Sequence, residues 1–406
     1  MLRSLISFVV SLALFYFSED LMAQLPKPLM TVDNRLVAAN TQFGFKFFDK
    51  LTKQNAGKNV FLSPSSVAFL LSMIYNGASG ETQQAMAKTL ALNGMSLPEI
   101  NQANAGLRDM LAGADPQVQL TIANSLWARK GLAFKPEFIA RNRDFYAAEV
   151  ATLDFAAPEA PIAINKWVSQ KTNGKIPEIV KSIPSDAILY LINAIYFKGN
   201  WAAPFDKAKT KDGQFTLLHG AKKKHPLMSR TGRYPFFTND KFQAISLPYS
   251  AGRMSMYVFL PNKNSNLNEL LASLSAGNWE SWMPQFRSQE GNIVLPRFKL
   301  EYEVVLNEAL QALGMQAAFD PQRANFSEMY ATAPPAKVFI DEIKHKTFVE
   351  VNEEGTEAAA VTSGGMRVTS FMPMPPFEMI VDRPFFCTIH DNPTGTLLFM
   401  GAIFEP

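Results

Sequence analysis

FVEVNEEGTEAAAVTSGGMRVTS (Phe348–Ser370) decides how this chain is read. It begins as a strand, because Phe348, Val349 and Val351 are β-formers. Glu353, Glu354 and Gly355 then break the apolar pattern. From Thr356 to Gly365 the residues are nearly all small, with no proline and no aromatic ring. So bland a segment cannot anchor a core of its own. It does fit between two existing strands, because small side chains need little room on a sheet face. At a period of two, Thr356, Ala358, Ala360, Thr362 and Gly364 share one face. Glu357, Ala359, Val361 and Ser363 share the other, where Glu357 reaches water. The same composition also describes a flexible loop of Gly, Ala, Ser and Thr.

The rest of the chain narrows the chemistry. At 406 residues, 47% of them apolar, it suffices for one large domain or two ordinary ones with a sizeable core. Charged residues make up 18% and the net charge is +3, too small a bias to imply a nucleic-acid partner. Only four histidines and one cysteine are present, and CxxC, HExxH, GxxxxGK and GxSxG are all absent. Zinc, P-loop and nucleophile-elbow chemistries therefore lack their residues, and no cofactor is expected. Cys387, within PFFCTI, reads as a small buried hydrophobe.

The N-terminus reads as an export signal over residues 1–23. Arg3 supplies a positive start, Leu5 to Phe17 is almost unbroken apolar sequence, and Ala23 ends a cleavage segment. An uncleaved anchor is the alternative, although the run is short for a bilayer span. The expectation is a secreted monomer spanning 24–406, extracellular or, in a bacterium, periplasmic, and free of membrane once the signal is removed. It has no disulfide to lean on, so packing alone must hold it.

Helical patterns dominate early (Leu36–Leu51, Val67–Tyr75, Pro98–Leu111, Pro136–Phe145, Ile162–Gln170). Ile188–Phe197 reads as a central strand buried on both faces. Strands dominate late: Phe242–Leu247, Met254–Leu260, Ile293–Leu300, Val338–Ile343, Phe348–Asn352, Phe377–Val381, Phe385–His390 and Thr396–Ile403. One helix, Tyr302–Leu313, is expected among them. Without regular βαβ alternation, the class is α+β.

Six segments in order resemble the serpin family over about Val32–Pro406. They are NVFLSPSSVAFLLSMIYNGASGET (Asn59–Thr82), INKWVSQKTNGKIPEIV (Ile164–Val180) and LINAIYFKGNWAAPFD (Leu191–Asp206), then LPRFKLEYEVVLNEALQALGM (Leu295–Met315), HKTFVEVNEEGTEAAA (His345–Ala360) and DRPFFCTIHDNPTGTLLFMGAIFEP (Asp382–Pro406). The resemblance implies a fold of three β-sheets (a main sheet A plus B and C), about nine helices, and an exposed reactive loop at about 355–376. It implies no catalytic residue and a serine protease as partner, elastase-like or trypsin-like. The protease cuts the loop, and the loop then inserts into the main sheet before the acyl-enzyme can hydrolyse.

On that resemblance Glu353, Glu354, Gly355, Thr356, Glu357, Ala358, Ala359 and Ala360 form the hinge. Thr356 enters the sheet first, and its neutral β-branched side chain suits an inhibitor, since a charge would be buried there without a partner. Counting from the hinge places the scissile bond at Thr369–Ser370. Arg367–Val368 competes as a trypsin-like bait, and Phe371 as a chymotrypsin-like one. FMPMPP (Phe371–Pro376) is longer than the family pattern, which leaves the register open. Ser63, Ser66, Asn193 and His345 match the polar cluster where the main sheet's strands must part. His219, His225 and His390 read as surface or turn residues, and Lys222-Lys223-Lys224 as a solvated hairpin turn. Cross-class trapping of papain-like cysteine proteases, and a non-inhibitory binding or chaperone role, stand as alternatives.

Overall fold

The computed structural model describes residues 32–112, 115, 117–332, 337–356 and 375–406. Two sheets organise it. Among the described residues the main sheet has six strands in the spatial order Phe298–Val305, Glu342–Val351, Gly355–Thr356, Leu189–Asn200, Val118–Arg129 and Glu149–Leu153. The Leu189–Asn200 strand is central and apolar, and its first nine residues, Leu189 to Phe197, are all buried. Helix Glu159–Lys171 covers one face, where Ile164 and Val168 pack with Tyr190, Ile192 and Ala194. Leu191, Ile195 and Phe197 point to the opposite, larger core. The expected strand buried on both faces is therefore present.

The other sheet has nine strands among the described residues. Its organiser is Lys222–Thr238, 17 residues long. Its first part pairs with Lys211–Thr216, its middle with Arg287–Pro296 and its end with Phe242–Pro248. Where three sheets are expected, there are two among the described residues, because this one long strand joins its ladders into a single sheet. Helix Pro64–Tyr75 is buried along its whole length. It starts where the sequence indicates: Ser63 caps it, accepting from Ser66 N at 3.3 Å, and Pro64 opens the first turn.

Several local expectations need correction. Tyr302–Val305 continues a strand instead of opening a helix, and α-helix begins only at Asn307. Exposed Glu301, Glu303 and Val305 alternate with half-buried Leu300, Tyr302 and Val304, a period of two enforced by pairing with Glu342–Val351. Residues 338–341 are not strand, and Glu342–Val351 is one continuous strand. Lys222, Lys223 and Lys224 begin the long strand, with the reversal lying just before them. His390 is buried, not superficial. It sits in the Phe385–Asp391 strand, edge-on to Tyr257, with Nδ1 3.1 Å from Asn392 Oδ1. Cys387 is fully buried, as expected, and burial pushes its thiol pKa up.

Candidate functional site

The main sheet contains a seam. Leu189–Asn200 and Glu342–Val351 run parallel and pair directly over seven positions, from Glu342↔Tyr190 to Phe348↔Tyr196. Their other neighbours are antiparallel. Two strands joined by a parallel ladder, each flanked by antiparallel partners, leave room for one further strand running opposite to both.

Beneath the middle of the seam lies a buried polar network. Its register row is Asn124↔Asn193↔His345, one residue from each of three adjacent strands. Ser63 N donates to His345 Nε2 at 3.1 Å, so the ring proton sits on Nδ1 and is donated to Asn193 Oδ1 at 2.5 Å. Asn193 Nδ2 donates to Ser66 Oγ at 2.6 Å, to Ser66 O at 3.1 Å and to Asn124 Oδ1 at 2.5 Å. Thr347 Oγ1 donates to Phe61 O at 2.6 Å. Ser63, Ser66, Asn193, His345 and Thr347 are all 0% exposed. Burial drives the His345 pKa down to about 3, so the ring is neutral and serves as a hydrogen-bonding tile. The four residues expected in this cluster are thus brought together. Asn124 and Thr347 complete it and were missed; strand registration, which a lone sequence does not display, is what adds them.

At the upper end of the seam the residues expected to lead the hinge already lie in the sheet. Gly355 and Thr356, expected at the root of an exposed arm, are buried strand residues wedged between the two seam strands. Thr356 pairs with Val351 on one side and Gly199 on the other; Gly355 pairs with Asn200. Gly355 has φ +154°, and a Cβ there would stand 2.2 Å from Gly199 O. Only glycine fits so close an approach. Asn352 shapes the turn, its Oδ1 accepting from Glu354 N at 3.0 Å and Gly355 N at 3.3 Å. Trp201 holds the turn from below: its backbone N donates to Glu354 O and its indole Nε1 to Asn352 O, both at 2.9 Å. Phe205 N donates to Glu353 O at 2.7 Å.

Charges close the latch. Glu353 is 2% exposed and accepts from Arg297 Nε at 2.7 Å and from Thr210 Oγ1. Burial raises its pKa, but the hydrogen bonds from Arg297 and Thr210 outweigh that and hold the carboxyl below its ordinary range. Glu354 pairs with Lys207 at the surface. Glu353, Glu354, Arg297 and Lys207 line a cleft of about 540 Å³ together with Lys299 and Glu350. Glu357, Ala358, Ala359 and Ala360, and the bait residues Arg367, Val368, Thr369, Ser370 and Phe371, lie outside the described residues. No group of three or more His, Cys, Asp or Glu converges on a metal position among the described residues.

Comparison with known proteins agrees with this geometry. The family model for serpin (serine protease inhibitor) matches residues 38–406. A leukocyte elastase inhibitor from Sus scrofa is 36% identical over 385 residues, covering 92% of this chain and all of the relative. The native state of tengpin, a thermophilic serpin, superposes with a TM-score of 0.85 at 29% identity, covering 93% of this chain and 95% of that one. A thyroxine-binding globulin bound to thyroxine superposes at 0.82 with 26% identity, covering 91% and 99%. The chain belongs to the serpin family and has the α+β serpin fold.

Proposed function

We propose that the protein is a secreted, monomeric, single-use inhibitor of serine proteases. The docked hinge carries this reading: the first two residues of the loop already occupy the gap that a full insertion would fill. A protease that cuts the loop forms an acyl-enzyme through its own triad. The freed arm then continues downward from Thr356, displacing the seven-pair parallel ladder and becoming antiparallel to both neighbours. Strand addition of this kind supplies main-chain hydrogen bonds, and the small side chains from Glu357 onward supply the fit.

Inserting about 12 residues gives the arm a partner strand on each side, on the order of 12–24 backbone hydrogen bonds, in place of the seven-pair parallel ladder it displaces. At about 3.3 Å per residue the bound protease is carried roughly 40 Å. Thr369 suits a small elastase-like pocket, and the similarity to an elastase inhibitor points the same way. Thr369–Ser370 is therefore the proposed reactive bond, with Arg367–Val368 as the trypsin-like alternative.

A protease panel (elastase, trypsin, chymotrypsin, papain) followed by denaturing electrophoresis tests this. The expected result is a covalent band with an elastase-like enzyme and a released fragment beginning at Ser370. A band with papain would instead assign cross-class inhibition. Clean cleavage without any complex would contradict inhibition and favour a binding role like that of thyroxine-binding globulin. Thr356→Arg places an unpaired charge in a fully buried slot and should turn inhibitor into substrate. Secretion rests on residues 1–23, and a mature chain isolated from the medium should begin near Gln24; retention in the cell would contradict it.

A further inference from the structure

Tyr249 is buried at 0% exposure directly behind the hinge. Its ring stacks on Trp201 with centroids 4.6 Å apart and stands edge-on to Phe197 at 5.0 Å. Its approach depends on Gly199, where a Cβ would come 3.1 Å from the Tyr249 ring. The phenolic oxygen lies 2.8 Å from Thr356 Oγ1, its hydrogen-bond partner among the described residues. A buried phenol left without a partner is costly, so this slot asks for a hydroxyl or an equivalent polar group on the incoming strand.

The chain supplies that hydroxyl at one position. From Val351 to Val361 the sequence is VNEEGTEAAAV, and Thr356 is its sole hydroxyl residue. Sliding the hinge by one residue would bring Gly355 or Glu357 to the slot and turn every side chain to the wrong face. Sliding by two would bring Ala358, which has no hydroxyl, or Glu354, whose longer side chain ends in a carboxyl group. Thr362 is the next hydroxyl, six residues on.

We propose that Tyr249 is a positioning residue that reads the register of the hinge: its hydroxyl accepts only Thr356, so the loop begins insertion from one fixed starting pair. The proposal rests on the inhibitory reading for its consequence, but the docking itself is measurable in the uncut protein. With the start fixed before cleavage, zipping proceeds without a register search and competes better with deacylation. A misregistered arm stalls, and the protease leaves it as a cut substrate.

The test uses the full chain with Tyr249→Phe, Thr356→Val, Thr356→Ser and the double variant Tyr249→Phe/Thr356→Val. Amide hydrogen exchange of the peptide spanning Asn352–Thr356 reads docking. Tyr249→Phe and Thr356→Val should each speed exchange there roughly fivefold, the scale of one lost hydrogen bond. Thr356→Ser should stay near the parent, and the double variant should be no worse than either single one. With a protease that the parent traps, the stoichiometry of inhibition should rise for the two single variants, while the rate of first encounter is unchanged. Unchanged exchange in Tyr249→Phe, or equal loss in Thr356→Ser and Thr356→Val, would overturn the proposal. Faster exchange combined with a parent that traps no protease would leave the register role without a consequence and would refute the inhibitory reading instead.

Discussion

The two ends of the seam are built differently. Its middle is closed by small polar side chains, with Ser63, Ser66, Asn124, Asn193 and His345 exchanging hydrogen bonds beneath a parallel ladder. Its upper end is propped open by a wedge of two residues set against the rings of Trp201 and Tyr249 and latched by Glu353 with Arg297. Polar partners can be exchanged one for another when strands part, so the proposed insertion would open the middle without leaving a hydrophobic surface bare. An aromatic slot offers no such exchange. It holds one segment in one place. On the proposed mechanism, the seam joins a part suited to separating with a part suited to fixing where separation starts.

Substitutions that blur this contrast should act in graded fashion. The largest effect is expected at Gly355. Gly355→Val places a side chain against Gly199 O and Asn200 Cα, so the hinge cannot dock and complex formation on a denaturing gel should disappear. Next is the middle of the seam. Asn193→Ala orphans His345, Ser66 and Asn124 together, and urea melts should show a loss of about 3 kcal/mol. The latch follows: Arg297→Met leaves the buried Glu353 carboxylate with Thr210 alone, at a cost of about 2 kcal/mol in the same melts. It should also speed amide exchange in the hinge, whereas Asn193→Ala should speed it in the seam strands.

The smallest effect near neutrality is that of pH, and its sign follows from His345. Its pKa is depressed from 6.5 to about 3, so the unfolded chain binds a proton that the folded chain refuses. Stability is fully present above about pH 6.5 and falls as pH drops from there toward 3. The loss is under about 1 kcal/mol between pH 7 and pH 6 and about 2 kcal/mol by pH 5. His390, also depressed by burial, acts in the same direction. Glu353 is depressed from a carboxylate's ordinary value of 4.5, so its contribution is lost only below that range. Urea melts at pH 7, 6 and 5 measure the His345 effect, and His345→Gln should flatten it.

Much of this arrangement was legible in the sequence because it depends on residue type at fixed spacing. Ser63-Pro64 announces a helix start, and the all-apolar Ile188–Phe197 run announces a doubly covered strand. What escaped depends on registration. Asn124 joins the polar row only because Val118–Arg129 pairs with Leu189–Asn200 at that offset. Tyr249 reaches Thr356 across 107 residues of chain. Tyr302 and Val304 fit a helix as well as a strand, until the neighbouring Glu342–Val351 strand selects the extended form. That the hinge is already in the sheet was also hidden, since an exposed root and a docked one have the same sequence.

The central claim is that the uncut protein stops short of its lowest energy because one strand is missing from the seam. Calorimetry of the intact protein and of the same protein nicked once within residues 357–374 tests it most directly. Completion of the sheet predicts that the nicked form melts tens of degrees higher. Equal melting midpoints for the two forms would contradict the account.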